Sequence, residues 1–231
     1  MPEGLRRTDE TGRLTAQIVG RMQSFPPLPP EAFGDPGVHT GNSASFLIRT
    51  SAGEGLAPIR VGADISRYCA GSPSMWLVKV PTVPDGHYSR VGPMGRYLQA
   101  RILIRQTAGR PIAARHIEPG YFRNSLLACY AVEGLSDEYL LALLNSKAVR
   151  FFHQQTFRDG RQKAFPQVKV SHLRAIPVPR PDRRTLREIE KLVRRAEEAG
   201  PSLVEGDIDR LVYALYGLDG DEVAEVERYA R

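Results

Sequence analysis

Apolar positions along this 231-residue chain change their spacing several times, and each spacing predicts a different kind of element. Near the start, Leu14, Ile18 and Met22 recur every fourth position, the pattern of one face of a short helix. SFPPLPP (24–30) follows; proline lacks the backbone donor, so this run reads as an extended linker. GDPGVHTGNSASF (34–46) is loop-rich. FLIRT (46–50), PIRVG (58–62), MWLVKV (75–80) and RILIRQT (101–107) are short, apolar and bounded by Gly and Pro, which is strand texture. RPIAARH (110–116) and LLACYAV (126–132) extend the sheet, with a turn at Gly109. The period then becomes helical. Ser136 is the predicted N-cap, Asp137 and Glu138 fill the first turn, and Leu140, Leu141, Leu143, Leu144, Val149, Phe151 and Phe152 form one stripe to about residue 155. RDGRQKAFPQVKV (158–170) interrupts it, and SHLRAIPVPRP is proline-limited and extended. Leu186, Ile189, Leu192 and Val193 predict a helix ended by Gly200-Pro201. Ile208, Leu211, Val212 and Leu215 predict another, with Asp207 as N-cap and Gly217 as stop, and Val223 and Val226 a last short one. Strands followed by helices, without regular alternation, argue an α+β fold: a strand-rich region and a helical C-terminal part, divided at 1–32, 33–180 and 181–231.

Composition narrows the function classes. At 42% hydrophobic and 25% charged residues the chain can bury a core. No apolar run approaches the ~18 residues of a membrane span, and MPEGLRRTDE has no signal core, so a cytoplasmic protein without a membrane partner is expected. Cys69 and Cys129 cannot build a disulfide framework, and both read as inert. His39, His87, His116, His153 and His172 are scattered without metal-ligand spacing. The net charge of +6 hides a strong asymmetry: residues 1–95 carry +1, residues 96–180 carry +9, and residues 181–231 carry −4. A basic middle segment is either a solvated surface or the footprint of a polyanion.

Catalytic patterns are missing. Ser24-Phe25-Pro26-Pro27-Leu28 lacks the polar residue before, and the aromatic after, the prolines that a base-methylating site needs. Gly53-Glu54-Gly55 is too short for a cofactor loop. Pro181-Asp182 with Glu188-Ile189-Glu190-Lys191 has Ile189 where a nuclease would place its second acid. No G-x-S-x-G elbow occurs.

Three stretches carry a resemblance: ILIRQTAGRPIAA (102–114), YLLALLNSKAVRFFHQ…KAFPQVKVSHLRAIPVP (139–179) and IDRLVYALYGLDGDEVAEVE (208–227). GVHTGNSASFLI (37–48) and VGADISRY (61–68) add to it. Together they resemble the C-terminal target-recognition (specificity) domain of TaqI-like adenine-specific DNA methyltransferases and type IIG restriction-modification enzymes. The resemblance implies a module that grips double-stranded DNA and reads a short sequence, with residues 33–180 as its recognition region. It also implies a catalytic domain that binds S-adenosylmethionine. Because the chain starts about 30 residues before the resemblance, that domain is expected on a separate methyltransferase or nuclease chain, with no cofactor in this one. The alternatives are a specificity subunit of an active adenine methyltransferase complex, or a non-catalytic protein- or RNA-binding module.

The resemblance also nominates residues. Arg105, Gln106 and Thr107 end a predicted strand and Arg110 follows the turn; they either contact DNA or only hold the turn. Arg158, Arg161, Lys163 and Lys169 flank Gly160 as phosphate contacts, with Gln167 beside them either contacting DNA or pairing backbone. Thr40, Gly41 and Asn42, with Ser43, form a donor-rich loop with close backbone approach, nominated for contact to phosphate or base edges. Arg67 is a further DNA candidate, whereas its neighbour Tyr68 is either a contact or core. Lys147 and Arg150 read as a solvated helix face, and Trp76, Leu140, Leu144, Phe151 and Tyr213 as packing.

Overall fold

A computed structural model describes residues 3–118, 120–157 and 167–229. It is an α+β fold of three layers: helices, a central sheet and a second sheet. Strands β1 (Phe33–Gly34), β7 (Ala100–Arg105), β8 (Ala113–Arg115) and β10 (Leu126–Tyr130) make the central sheet, antiparallel in the order β1-β10-β7-β8. Strands β2 (Ile48–Arg49), β3 (Leu56–Arg60), β6 (Met75–Val78) and β9 (Tyr121–Phe122) make the second, in the order β2-β6-β3-β9, with β9 parallel to β3. β4 (Ile65–Ser66) and β5 (Cys69–Ala70) form a hairpin. Short helices α2 (Ala44–Leu47) and α3 (Met94–Leu98) serve the second sheet.

The continuous apolar runs of β7 and β10 have a direct cause. Successive strand residues face opposite ways, and both faces of this sheet are covered. Ile102, Ile104, Leu127 and Cys129 enter the helical core, while Leu103, Leu126 and Ala128 enter the core shared with the second sheet. Burial pushes the Cys129 thiol up to about 12, whereas Cys69 is exposed.

The expected single helix after Ser136 is two helices, α4 (Asp137–Asn145) and α5 (Lys147–Thr156). Ser136 caps α4 as predicted, through Tyr139 N. Ser146 divides the run: its hydroxyl donates to Leu143 O at 2.8 Å and accepts from Val149 N at 3.1 Å, ending one helix and capping the next. Every residue of α4 from Tyr139 to Asn145 is buried, as expected for a helix that is apolar on all sides. Asn145 closes the free edge of β8. Its Oδ1 accepts from Ala113 N and its Nδ2 donates to Ala113 O, both at 2.9 Å. Tyr68 N donates to the same carbonyl. An open strand edge is thereby sealed without a further strand.

The short helix α6 (Val170–Arg174) precedes α7 (Arg183–Ala199), α8 (Glu205–Tyr216) and α9 (Gly220–Tyr229), which pack outside α4 and α5. Asp182 caps α7. Asp207 is not the cap of α8; that helix starts at Glu205, leaving Asp207 in its first turn, whereas Gly217 stops it in the left-handed region as predicted. The N-terminal helix is longer than its apolar spacing suggested, α1 (Glu3–Gln23), and packs on α5 and α9. Its Arg21 pairs with the buried Glu222 at 3.1 Å. The proline run after it is extended but docked: Val178 N donates to Pro26 O, Leu28 is buried and Phe25 meets Tyr216 edge-on. Among the described residues no helix is long and apolar enough to cross a membrane.

Two stability predictions follow from buried polar groups. Asn145→Ala removes the acceptor of the buried Ala113 N, whereas Ala113 O keeps Tyr68; the expected loss is about 2–3 kcal/mol in chemical denaturation. Burial, with Arg60 beside it, pushes the His116 imidazole down to about 4. An unfolded histidine takes its proton near pH ~6.5. The folded state therefore loses stability as pH falls from about 6.5 towards 4. Urea titrations across that window should show a shallower decline for His116→Gln.

Candidate nucleic-acid interface

Backbone pairing brings four loop segments to one rim of the central sheet. β10 lies beside β7, so the residues entering β10 meet those leaving β7: Gln106 N donates to Ser125 O at 2.9 Å. Gln106 O accepts from Val168 N at 2.8 Å, and Thr107 bridges to Gln167. On the other side Asn124 N donates to Val38 O, and Arg123 Nη2 donates to Thr40 Oγ1 at 2.9 Å. The order along the rim is thus 38–42, 123–125, 105–107, 167–169. The β7–β8 turn is held by the Gln154 side chain of α5, which donates to Gly109 O.

The rim residues differ in what they can offer a ligand. Arg105 is half-buried, and its Nε is shielded from solvent without a hydrogen-bond partner among the described residues. A buried donor without an acceptor is costly, and a ligand acceptor would recover that cost. Gln106 spends its backbone on Ser125 and Val168, while Thr107, Gln167 and Lys169 are exposed. Thr40 is buried, its hydroxyl occupied by Arg123. Gly41 adopts φ 51°, and a side chain there would also collide with Tyr88. Asn42 uses its amide on the neighbouring loop, donating to Gly86 O at 3.2 Å and accepting from Tyr88 N at 2.9 Å. Arg158, Arg161 and Lys163 lie outside the described residues.

Beyond the β7–β8 turn three arginines share one electrostatic neighbourhood. Arg67 occupies the two-residue turn between β4 and β5 and pairs with Glu205 at 2.8 Å. Its neighbour Tyr68 takes φ 64°, costly for a bulky residue, and offsets this by burying its ring in the helical core. Tyr68 is therefore core, and burial pushes its phenol well above its usual range. Arg110 makes no hydrogen bond or ion pair to the described residues. Partial burial, then repulsion from Arg150 and Arg67, pull its guanidinium below its ordinary range, and Arg150 is lowered by burial and by Arg67. Lys147, read from the sequence as solvated, instead binds Glu227 at 2.6 Å and lies 3.7 Å from Asp209.

A family model described as the TaqI-like C-terminal specificity domain matches residues 57–178. The chain belongs to that family. The matched span of this specificity domain takes in β3 through α6, including the β7–β8 turn and the helix pair, and excludes the 37–48 and 208–227 stretches. No curated protein matches the chain. Among solved structures, a chain described under "Structural basis underlying complex assembly and conformational transition of the type I R-M system" is similar at 18% identity and a TM-score of 0.42, over 92% of this chain. The present chain spans 55% of that one.

Sequence reading missed Arg123, Asn124 and Ser125. Their signal was FRNS directly before a predicted strand, a polar cluster that becomes meaningful once β10 is known to adjoin β7. Asn124 is half-exposed and its side-chain amide has no partner among the described residues.

The crowding at Arg110 makes a prediction with a definite sign. Its charge is disfavoured in the folded protein, so Arg110→Gln should leave the melting temperature unchanged or raise it at low ionic strength. Added salt should narrow any difference, because it screens the repulsion.

Proposed function

We propose that this specificity domain binds double-stranded DNA along the rim and reads a short sequence there, as the cytoplasmic target-recognition module of a restriction-modification or phage-defence system. The methyl transfer or cleavage belongs, on this reading, to a separate methyltransferase or nuclease chain, and S-adenosylmethionine to that partner. The observation that carries the proposal is the state of Arg105 and Arg110: one holds a shielded donor without an acceptor among the described residues, and the other is a half-buried cation whose repulsion from Arg150 and Arg67 is only partly offset by Glu205 and Asp209. Both conditions are relieved by an anionic, acceptor-rich ligand.

Side-chain chemistry supports a nucleic acid over polyanions without bases. Arg105 can address the two acceptors of guanine, and Gln106 or Asn124 the donor and acceptor of adenine, from one edge of the rim. Arg110, Arg123 and Lys169 suit phosphates, which position a duplex without identifying its sequence. Thr40 and Asn42 contribute by fixing the loops rather than by reaching outward. Arg67 keeps its Glu205 partner and adds to the positive charge around Arg110.

Fluorescence anisotropy with a labelled duplex tests this. Binding is expected at low salt, with log affinity falling linearly as log salt rises. Arg110→Ala should make that slope shallower by about 0.9. Arg105→Ala should instead relax the preference at one position, costing roughly 1–3 kcal/mol on the preferred sequence. Absence of duplex binding at low salt, or tighter binding to RNA than to the duplex, would sink the proposal.

A further inference from the structure

Tyr88 stands apart from the other exposed apolar residues of the chain. The residue is 68% exposed, yet the backbone around it is held firmly. Asn42 brackets the segment, accepting from Tyr88 N and donating to Gly86 O, and Ser43 Oγ donates to Tyr88 O at 2.8 Å. Two residues on, His39 and Arg90 exchange backbone hydrogen bonds of 3.0 and 2.7 Å. His87 meets Phe46 edge-on at 5.1 Å. A Cβ on Gly41 would lie 2.8 Å from the Tyr88 ring, so only glycine lets the ring settle there. Gly41 adjoins Thr40, which accepts from Arg123, so the ring stands next to the basic rim. The phenolic hydroxyl has no partner among the described residues.

An exposed aromatic ring gains little for folding, so a five-hydrogen-bond frame around one is an arrangement for contact. Tyrosine suits it: the ring offers a large rigid surface with few torsions to freeze on binding, and the hydroxyl can find an acceptor at the wet edge. We infer that Tyr88 is a preorganised aromatic contact to DNA, packing its ring on a deoxyribose beside the phosphate held by Arg123. The inference rests on the DNA-reading function proposed above. It adds an uncharged contact from the loop at 86–88, outside every segment that basic residues nominate. Asn42 and Gly41 thereby act as positioning residues for Tyr88.

The test uses the full chain and a labelled mixed-sequence duplex, with affinity measured across a salt series. Tyr88→Ala is expected to weaken binding about tenfold at every salt concentration, the loss of one packed aromatic contact. The salt slope should not move, because no charge is removed, whereas Arg123→Ala should make it shallower. Tyr88→Trp should keep wild-type affinity. If Tyr88→Ala lowers the melting temperature, Tyr88→Leu, which keeps apolar bulk without an aromatic face, takes its place. Wild-type protein that binds no duplex overturns the DNA reading itself. Wild-type binding with Tyr88→Ala within twofold of it, or a slope that changes in that variant, leaves the DNA reading intact and overturns the role of Tyr88.

Discussion

The closure of Asn145 on both backbone groups of Ala113 is the constraint on which the rest of the architecture depends. It joins the most buried helix, α4, to the edge strand β8, at a point where the backbone would otherwise need another strand or water. The register of β8 against β7 then sets where Arg105, Gln106 and Thr107 emerge. One residue later, Ser146 stops α4 and starts α5 at a new angle, and Lys147 locks the start of α5 to Asp209 and Glu227. α5 in turn carries Arg150 and the Gln154 that holds the β7–β8 turn. The short run Asn145-Ser146-Lys147 thus couples core packing to the geometry of the rim.

The charge distribution follows the same division of labour. Carboxylates of the C-terminal helices neutralise arginine and lysine where the layers meet: Glu222 takes Arg21, Glu205 takes Arg67, Glu197 takes Arg115. The negative tail read in the sequence therefore supplies partners both to the first 95 residues, at Arg21 and Arg67, and to the basic middle, at Arg115 and Lys147. At the rim and its turn a remainder stays unpaired: Arg105 and Arg110 make no ion pair with the described residues, although Glu205 and Asp209 partly offset the charge crowding at Arg110. A binding surface needs that remainder rather than the total charge, since paired surface ions contribute little to long-range attraction.

Membership of the TaqI-like specificity domain family was legible in contiguous motifs, and so was much of the secondary structure. β3, β6, β7, β8 and β10 overlap the strand-textured runs, and burial on both faces makes those of β7 and β10 continuously apolar. The break at Ser146 was hidden by the stripe of Leu and Phe on either side, which keeps helical period through the kink. β1, β4, β5 and β9 are two residues long and carry no periodicity to read. At the rim, Arg105 and Arg110 were visible as cations beside a turn. Thr40 looked equally available, yet it is buried, because its hydroxyl serves Arg123 from a segment 83 residues away.

The amino-acid order alone thus determined the α+β class, the strand runs, the caps at Ser136 and the stop at Gly217, since each depends on neighbours within a turn or two of chain. Sheet order, the docking of the proline run and the joining of 38–42 to 123–125 and 105–107 were decided by packing, because they are hydrogen bonds between distant segments. The same holds for charge. Sequence counts cations, but only the folded chain decides which meet a carboxylate and which are left facing outward.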